Sequence, residues 1–166
     1  MTASSIGVVR GRSKGMWWGT AIEAPDPGAL AAFYSRLLDW PVVHEEPGTA
    51  IVKPPQDAVF MVFQLASDYV PPVWPPAPGE QRTMMHLDIE VDDLDAAVAD
   101  AVALGARVAG FQPQDNVRVL LDPAGHPFCL CRDQDLSGPP GLIGTTRTSV
   151  RPCCWLQRHR GTKVPR

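Results

Sequence analysis

The order of extended and helical stretches predicts an α+β domain built from two tandem βαβββ units, whose eight strands form a curved mixed sheet around a cleft with both helices outside. Three observations carry this expectation. Two amphipathic helical stretches each follow a short strand and an aspartate able to cap them, three short β-rich runs follow each helix, and a proline-dense segment separates the halves. With 166 residues, 45% hydrophobic and 20% charged, the chain has room for one such domain and is too short for a large multi-domain enzyme.

Residues 17–24 (WWGTAIEA) read as a strand that Pro25 ends. Asp26 is a good N-cap and Pro27 suits the first helical turn, so 28–39 is predicted helical, with Leu30, Phe33, Tyr34, Leu37 and Leu38 on one face. Residues 41–44, 50–53 and 58–65 are apolar or β-branched runs broken by turn residues, the pattern of a three-stranded meander. Five prolines between Pro71 and Pro78 remove too many donors for a helix or central strand, so this segment is an extended linker. In 84–91 (MMHLDIEV) apolar and polar residues alternate, which puts His86, Asp88 and Glu90 on one face and Leu87, Ile89 and Val91 on the other. Asp92 is read as the cap of the next helix, whose stripe of Leu94, Ala97, Val98, Ala101 and Leu104 ends at Gly105. Strands are predicted at 107–109, 117–121 and 127–131, the last two joined by a Asp-Pro-Ala-Gly-His turn. An offset of 67 superposes Asp93 on Asp26, so the halves repeat in structure more than in residue identity. The expected organisation is a flexible arm at 1–15, a domain at 16–135 (units 16–66 and 84–135 around a linker at 67–83), and a disordered basic tail at 136–166.

Charge narrows the partners. Residues 1–136 hold all eighteen acidic side chains against nine Lys and Arg, whereas the remainder holds six Lys and Arg and no acid. An acidic body argues against nucleic acid as a partner of the folded part. No apolar run is long enough to span a membrane, and the start of the chain lacks the order of a secretory signal, so a cytoplasmic location is expected. Cys129, Cys131, Cys153 and Cys154 fit neither a zinc nor a disulfide framework, and reduced thiols are expected.

Several residues point to chemistry. His86 has Asp88 two residues along the same face, where a carboxylate can orient an imidazole and raise its basicity; the alternative is a hydrogen-bonded histidine in a wet cleft. Asp88 and Glu90 suit acid/base work or simple solvation. Cys129 near His86 suits a thiolate nucleophile, or is a small buried apolar residue. Arg118 is expected to point into the cleft, to grip an anionic group or to pair with Asp88 or Glu90. Tyr69 and Trp74 form a lid over the cleft or pin the linker, and His44 and His126 are read as solvent-exposed.

The segments PDPGALAAFYSRLLDW at 25–40, MHLDIEVDDLDAAVADAVALGARV at 85–108 and DPAGHPFCLC at 122–131, in this order and spacing, resemble the glyoxalase, bleomycin-resistance and extradiol-dioxygenase superfamily, the vicinal oxygen chelate proteins. The resemblance implies the paired-unit fold and, in metal-dependent members, one ligand from the first and one from the last strand of each unit. Those places here are Gly19, Gln64, His86 and Cys129, with Thr20 replacing Gly19 if the register slips by one. Only His86 and Gln64 are residue types that the resemblance supports as ligands, and a thiol stands where a carboxylate is usual. The expectation is therefore a metal-free protein that binds and sequesters a small organic ligand, with His86, Gln64, Asp88, Glu90 and Arg118 orienting it and Phe60, Tyr69 and Trp74 adding contact area. The alternative is a lyase or isomerase of the glyoxalase type with a divalent ion on His86 and Gln64 and with Asp88 or Cys129 reacting. A homodimer is a further implication, since sheet edges in this fold often pair.

Overall fold

The computed structural model describes residues 17–132, so the predicted arm at 1–15 and basic tail at 136–166 lie outside the described residues. The chain divides between Ala66 and Ser67 into two units. The first contains β1 (Trp18–Ala24), α1 (Pro27–Leu38), β2 (Val42–Glu46), β3 (Thr49–Val52) and β4 (Val59–Leu65). The second contains β5 (Leu87–Glu90), α2 (Leu94–Ala103), β6 (Arg107–Val108), β7 (Val117–Leu121) and β8 (Pro127–Cys131). The eight strands fall into two four-stranded mixed sheets of identical plan, ordered β1-β4-β3-β2 and β5-β8-β7-β6. In each, the strand before the helix lies parallel to the last strand and the remaining pairings are antiparallel.

In the first unit, Asp26 caps α1 by accepting a 2.9 Å hydrogen bond from Ala29 N, and Pro27 occupies the first turn, where its missing N–H costs nothing. Leu30, Ala31, Phe33 and Tyr34 are buried against the sheet. Tyr34 stacks on Phe63 of β4 with ring centroids 5.5 Å apart, and Phe33 meets Tyr34 edge-on. Met61 and Phe63 are buried with Ala50 and Val52 beneath the helix, so alternation along β4 turns Phe60, Val62 and Gln64 to the other face. The helix closes at Asp39, a non-glycine residue in the left-handed region (φ 53°) that aspartate tolerates better than most side chains. Replacing Asp26 with Ala should cost about 1 kcal/mol, measured as a lower denaturant midpoint with an unchanged slope.

In the second unit Asp93, not Asp92, caps α2, accepting from Ala96 N at 3.0 Å. Asp93 stands 67 residues after Asp26, so the caps follow the internal repeat rather than the first available aspartate. Of the predicted stripe on α2, Leu94 and Ala101 are buried, with Ala97, Val98 and Leu104 only partly covered. On the helix side of the sheet Leu120, Phe128 and Leu130 are fully buried. The opposite side forms a second core of Ala109, Val117, Val119, Cys129 and Cys131, against which Trp74 and Leu121 pack. This is why every residue of β8 is buried. Cys131 is disulfide-bonded, contrary to the expectation of reduced thiols, whereas Cys129 keeps its thiol.

The proline-rich segment packs onto the second unit. Trp74 Nε1 donates to Phe111 O at 3.1 Å, and Val73 N donates to Gln81 O at 2.9 Å. Pro71 sits over Gly125, a buried residue at φ +98°, where a Cβ would lie 2.9 Å from the proline ring. Both the backbone conformation and the overlying ring therefore require glycine at that position. Gln112 ties the segment after β6 to β7: its Nε2 donates to Ala109 O and Val119 O, and its Oε1 accepts from Val119 N at 2.8 Å.

Candidate functional site

The structure brings together three of the residues singled out for chemistry. Asp88 pairs with Cys129 in the parallel β5–β8 ladder, so their side chains share the sheet face turned away from α2, and His86 lies two residues before Asp88. His86 Nε2 is 3.3 Å from Asp88 Oδ1, with the two side chains 19% and 38% exposed. Each of the three offers one ligand atom, and those atoms lie within 4.8 Å of one another. A half-buried imidazole beside a carboxylate can bind a proton, a hydroxyl or a metal ion, and the buried thiol supplies the polarisable third donor. Glu90, two residues beyond Asp88, is exposed along the same edge strand.

Arg118 does not join this group, contrary to expectation. The β7–β8 register sets Val119 against Cys129 and Arg118 against Leu130, so Arg118 lies on the helix side of the sheet. Its Nη1 donates to the carbonyls of Asp115 and Val117 at 3.0 Å each, and it lines a polar pocket with Asp93, Asp95, Asp115 and Arg132 near the start of α2. It is therefore a partner of neither Asp88 nor Glu90. Trp74 does lie on the cysteine face, but pinned by its indole N–H and packed against the core of Ala109, Val117, Val119, Cys129 and Cys131.

Phe60 and Gln64 belong to the first unit and His86 to the second. Within the first unit both lie on the sheet face away from α1, and Gln64 is in register with Glu23 of β1. Glu23 shares the alternation of Gly19 and Ala21, so the period-two pattern of β1 already placed it there, although sequence reasoning passed over it. Phe60 pairs with Gly19, and a Cβ at position 19 would lie 2.5 Å from the Phe60 ring. Trp17 adds to this aromatic patch, its ring centroid 5.1 Å from that of Phe60.

A second polar group was not expected. His126, read as solvent-exposed, is held by Asp122, a fully buried carboxylate. Asp122 Oδ1 accepts from Ala124 N at 3.0 Å and from His126 N at 2.9 Å, and Oδ2 lies 2.9 Å from His126 Nδ1. The carboxylate therefore fixes a proton on Nδ1, which leaves Nε2 of the neutral ring to accept from Tyr69 Oη at 3.0 Å. Burial, and to a lesser degree the charge of Asp122, push the Tyr69 hydroxyl well above its ordinary value of 10.0, so the phenol stays a donor throughout the neutral range. Tyr69 thus joins the linker to the β7–β8 turn. A turn aspartate four residues before a histidine was the available signal.

Comparison with known proteins settles the family. The model of the glyoxalase-like domain family matches residues 19–131. The chain belongs to the glyoxalase-like domain family. Solved structures share its fold: a glyoxalase/bleomycin resistance protein/dioxygenase family enzyme from Burkholderia phytofirmans PsJN is 18% identical, with a TM-score of 0.52 over 69% of this chain and 95% of that one. A glyoxalase-related enzyme from Fulvimarina pelagi is 17% identical (TM-score 0.52, 69% of this chain and 86% of that one). A glyoxalase/bleomycin resistance protein from Albidiferax ferrireducens T118 is 16% identical (TM-score 0.50, 70% and 98%). No curated protein matches the sequence. Among the described residues no helix of this glyoxalase-like protein is long and apolar enough to cross a membrane.

The family fold raises the question of a metal, and the two units answer it differently. At Gly19 the chain offers no donor, and the Phe60 ring occupies the space that a ligand side chain would need. In the second unit His86, Asp88 and Cys129 form a donor set whose spacing suits a single ion. The residues fit a borderline or thiophilic ion rather than a hard one.

Proposed function

We propose that this glyoxalase-like protein is a cytoplasmic small-molecule-binding protein that holds and sequesters an oxygenated organic ligand at the His86–Asp88 edge of its second sheet. The close His86–Asp88 pair carries this reading, because it presents a donor and an acceptor on a partly exposed sheet face beside apolar packing. Orientation of the ligand falls to His86 and Asp88, with Glu90 further along the same strand, and Trp74 supplies contact area. Phe60, Gln64 and Glu23 give the open face of the first sheet an equally mixed apolar and polar surface.

The donor cluster favours a second reading, a lyase or isomerase of the glyoxalase type. An ion held by His86, Asp88 and Cys129 would supply Lewis acidity toward substrate oxygens, and Glu90 would be the carboxylate left to move a proton.

A thermal-shift screen of small carbonyl, hydroxy-acid and phenolic compounds tests the binding reading. A ligand present at a hundredfold excess over its Kd stabilises the fold by about 2.7 kcal/mol, a clear rise in Tm. The rise should appear for the wild-type chain and vanish in His86→Ala/Asp88→Ala. A screen without hits, or a shift that survives the double substitution, contradicts the assignment.

A further inference from the structure

We infer that the proline-rich segment 69–81 is a gate: a strap latched across the cysteine face of the second sheet, which controls access to Cys129 by opening locally while the unit beneath stays folded. The strap is attached at points rather than by a ladder. Pro71, Pro72, Pro75, Pro76 and Pro78 bring no N–H, so the segment cannot be hydrogen-bonded onto the sheet as a further strand. Three contacts hold it instead. Tyr69 Oη donates to His126 Nε2 at 3.0 Å, on a histidine itself fixed by the buried Asp122. Pro71 rests over Gly125. Trp74 donates to Phe111 O at 3.1 Å and packs on the core of Ala109, Val117, Val119, Cys129 and Cys131.

So few contacts make the strap weaker than what it covers. Val70 and Pro71 lie exposed between the two latches, so this stretch buries little apolar area to hold it down. Beneath it, β7 and β8 are joined by a continuous antiparallel ladder and carry Val117, Val119 and Cys129 almost fully buried. Raising the strap breaks two side-chain hydrogen bonds, whereas unfolding the unit breaks the ladder and exposes the whole core, so the strap opens first. Its prolines restrict the backbone, and Val73 N donates to Gln81 O to close the far end on itself, so the segment moves as a semi-rigid piece. Cys129, under the strap, is in register with Asp88, whose carboxylate lies 3.3 Å from His86 Nε2. With the strap down the face offers the His86–Asp88 edge; with the strap raised it extends to the thiol and to Val117 and Val119. The inference deepens the proposed ligand site by assigning what regulates access to it, and it rests on that reading only for what the opened face admits.

The test uses the full-length chain and iodoacetamide as the probe, with peptide mapping by mass spectrometry to read alkylation at Cys129. Tyr69→Phe and Trp74→Phe each remove one latching hydrogen bond and keep an aromatic ring. Tyr69→Phe should speed alkylation of Cys129 about three- to tenfold, Trp74→Phe at least as much, and the double variant by the product of the two, at least about tenfold. In each protein the rate should be nearly independent of urea below the unfolding transition, because raising the strap exposes little surface. A double variant alkylated at the wild-type rate overturns the inference. So does a rate that climbs with urea along the full slope of global unfolding, which would mean that Cys129 is reached only when the unit unfolds. Alkylation that rises as expected in a protein with no ligand-induced thermal shift upholds the strap and removes the sequestering function; a thermal shift in a protein whose Cys129 ignores both latches does the reverse.

Discussion

Phe63→Ala should destabilise the chain by about 3–5 kcal/mol, the largest effect expected of any single truncation in the first unit. Phe63 is 0% exposed and its ring stacks on Tyr34 with an interplanar angle of 15°. Truncation loses the transfer energy of the ring and the stacking with Tyr34, and it opens a cavity beneath α1 that neither backbone can close. The melting temperature should fall by roughly 10–20 °C, given the usual relation between stability and Tm for a domain of this size. Phe63→Leu, which keeps most of the volume, should cost much less. A loss below about 1 kcal/mol for the alanine variant would mean that α1 does not rest on β4 as described.

Asp122→Ala should cost about 3 kcal/mol or more, for a different reason. Nothing apolar is lost. Instead the backbone N–H groups of Ala124 and His126 and the Nδ1–H of His126 lose the acceptor around which the turn is built. A buried donor left without a partner costs about 1–3 kcal/mol, so three of them outweigh the net gain once made by each bond. Asp122→Asn retains an oxygen for the backbone and should cost far less, but it should reverse the histidine tautomer, since an amide N–H then faces Nδ1. Nitrogen NMR of the imidazole reads this directly. An unchanged tautomer in the asparagine variant, or an alanine variant as stable as wild type, contradicts the assigned chain of hydrogen bonds. Burial of the Tyr69 hydroxyl, with the nearby charge of Asp122, makes alkaline pH costly. Because the folded state raises the Tyr69 hydroxyl above its ordinary value, stability is fully present below that value and is lost as the pH climbs past it.

Much of the fold was legible in the sequence because its signals are local. Asp26-Pro27 announces α1, the alternation of 84–91 announces β5, and the identical element order of the halves predicts that both follow one plan, as the two four-stranded sheets do. What escaped depends on registration between strands. Alternation within 117–121 shows that Arg118 opposes Val117 and Val119, but only pairing with β8 shows which of those faces carries Cys129. The nearness of Cys129 to His86 and Asp88, by contrast, was expected, and the pairing of Asp88 with Cys129 supplies the register behind it. The predicted strand at 84–91 contracts to Leu87–Glu90, leaving Met84 and Met85 exposed and His86 just ahead of the ladder. His126 was misjudged because a Pro-Gly turn is normally a surface feature, whereas here its first residue is a buried acceptor that organises the turn from within.

The central claim is that this glyoxalase-like protein carries a small organic molecule. Native mass spectrometry of the untreated full-length chain puts that claim to the most direct test. The account predicts a species heavier than the polypeptide by the mass of a small organic molecule, lost on collisional activation and missing from His86→Ala/Asp88→Ala. A wild-type spectrum showing only the bare polypeptide, from cells grown in rich medium, would contradict it.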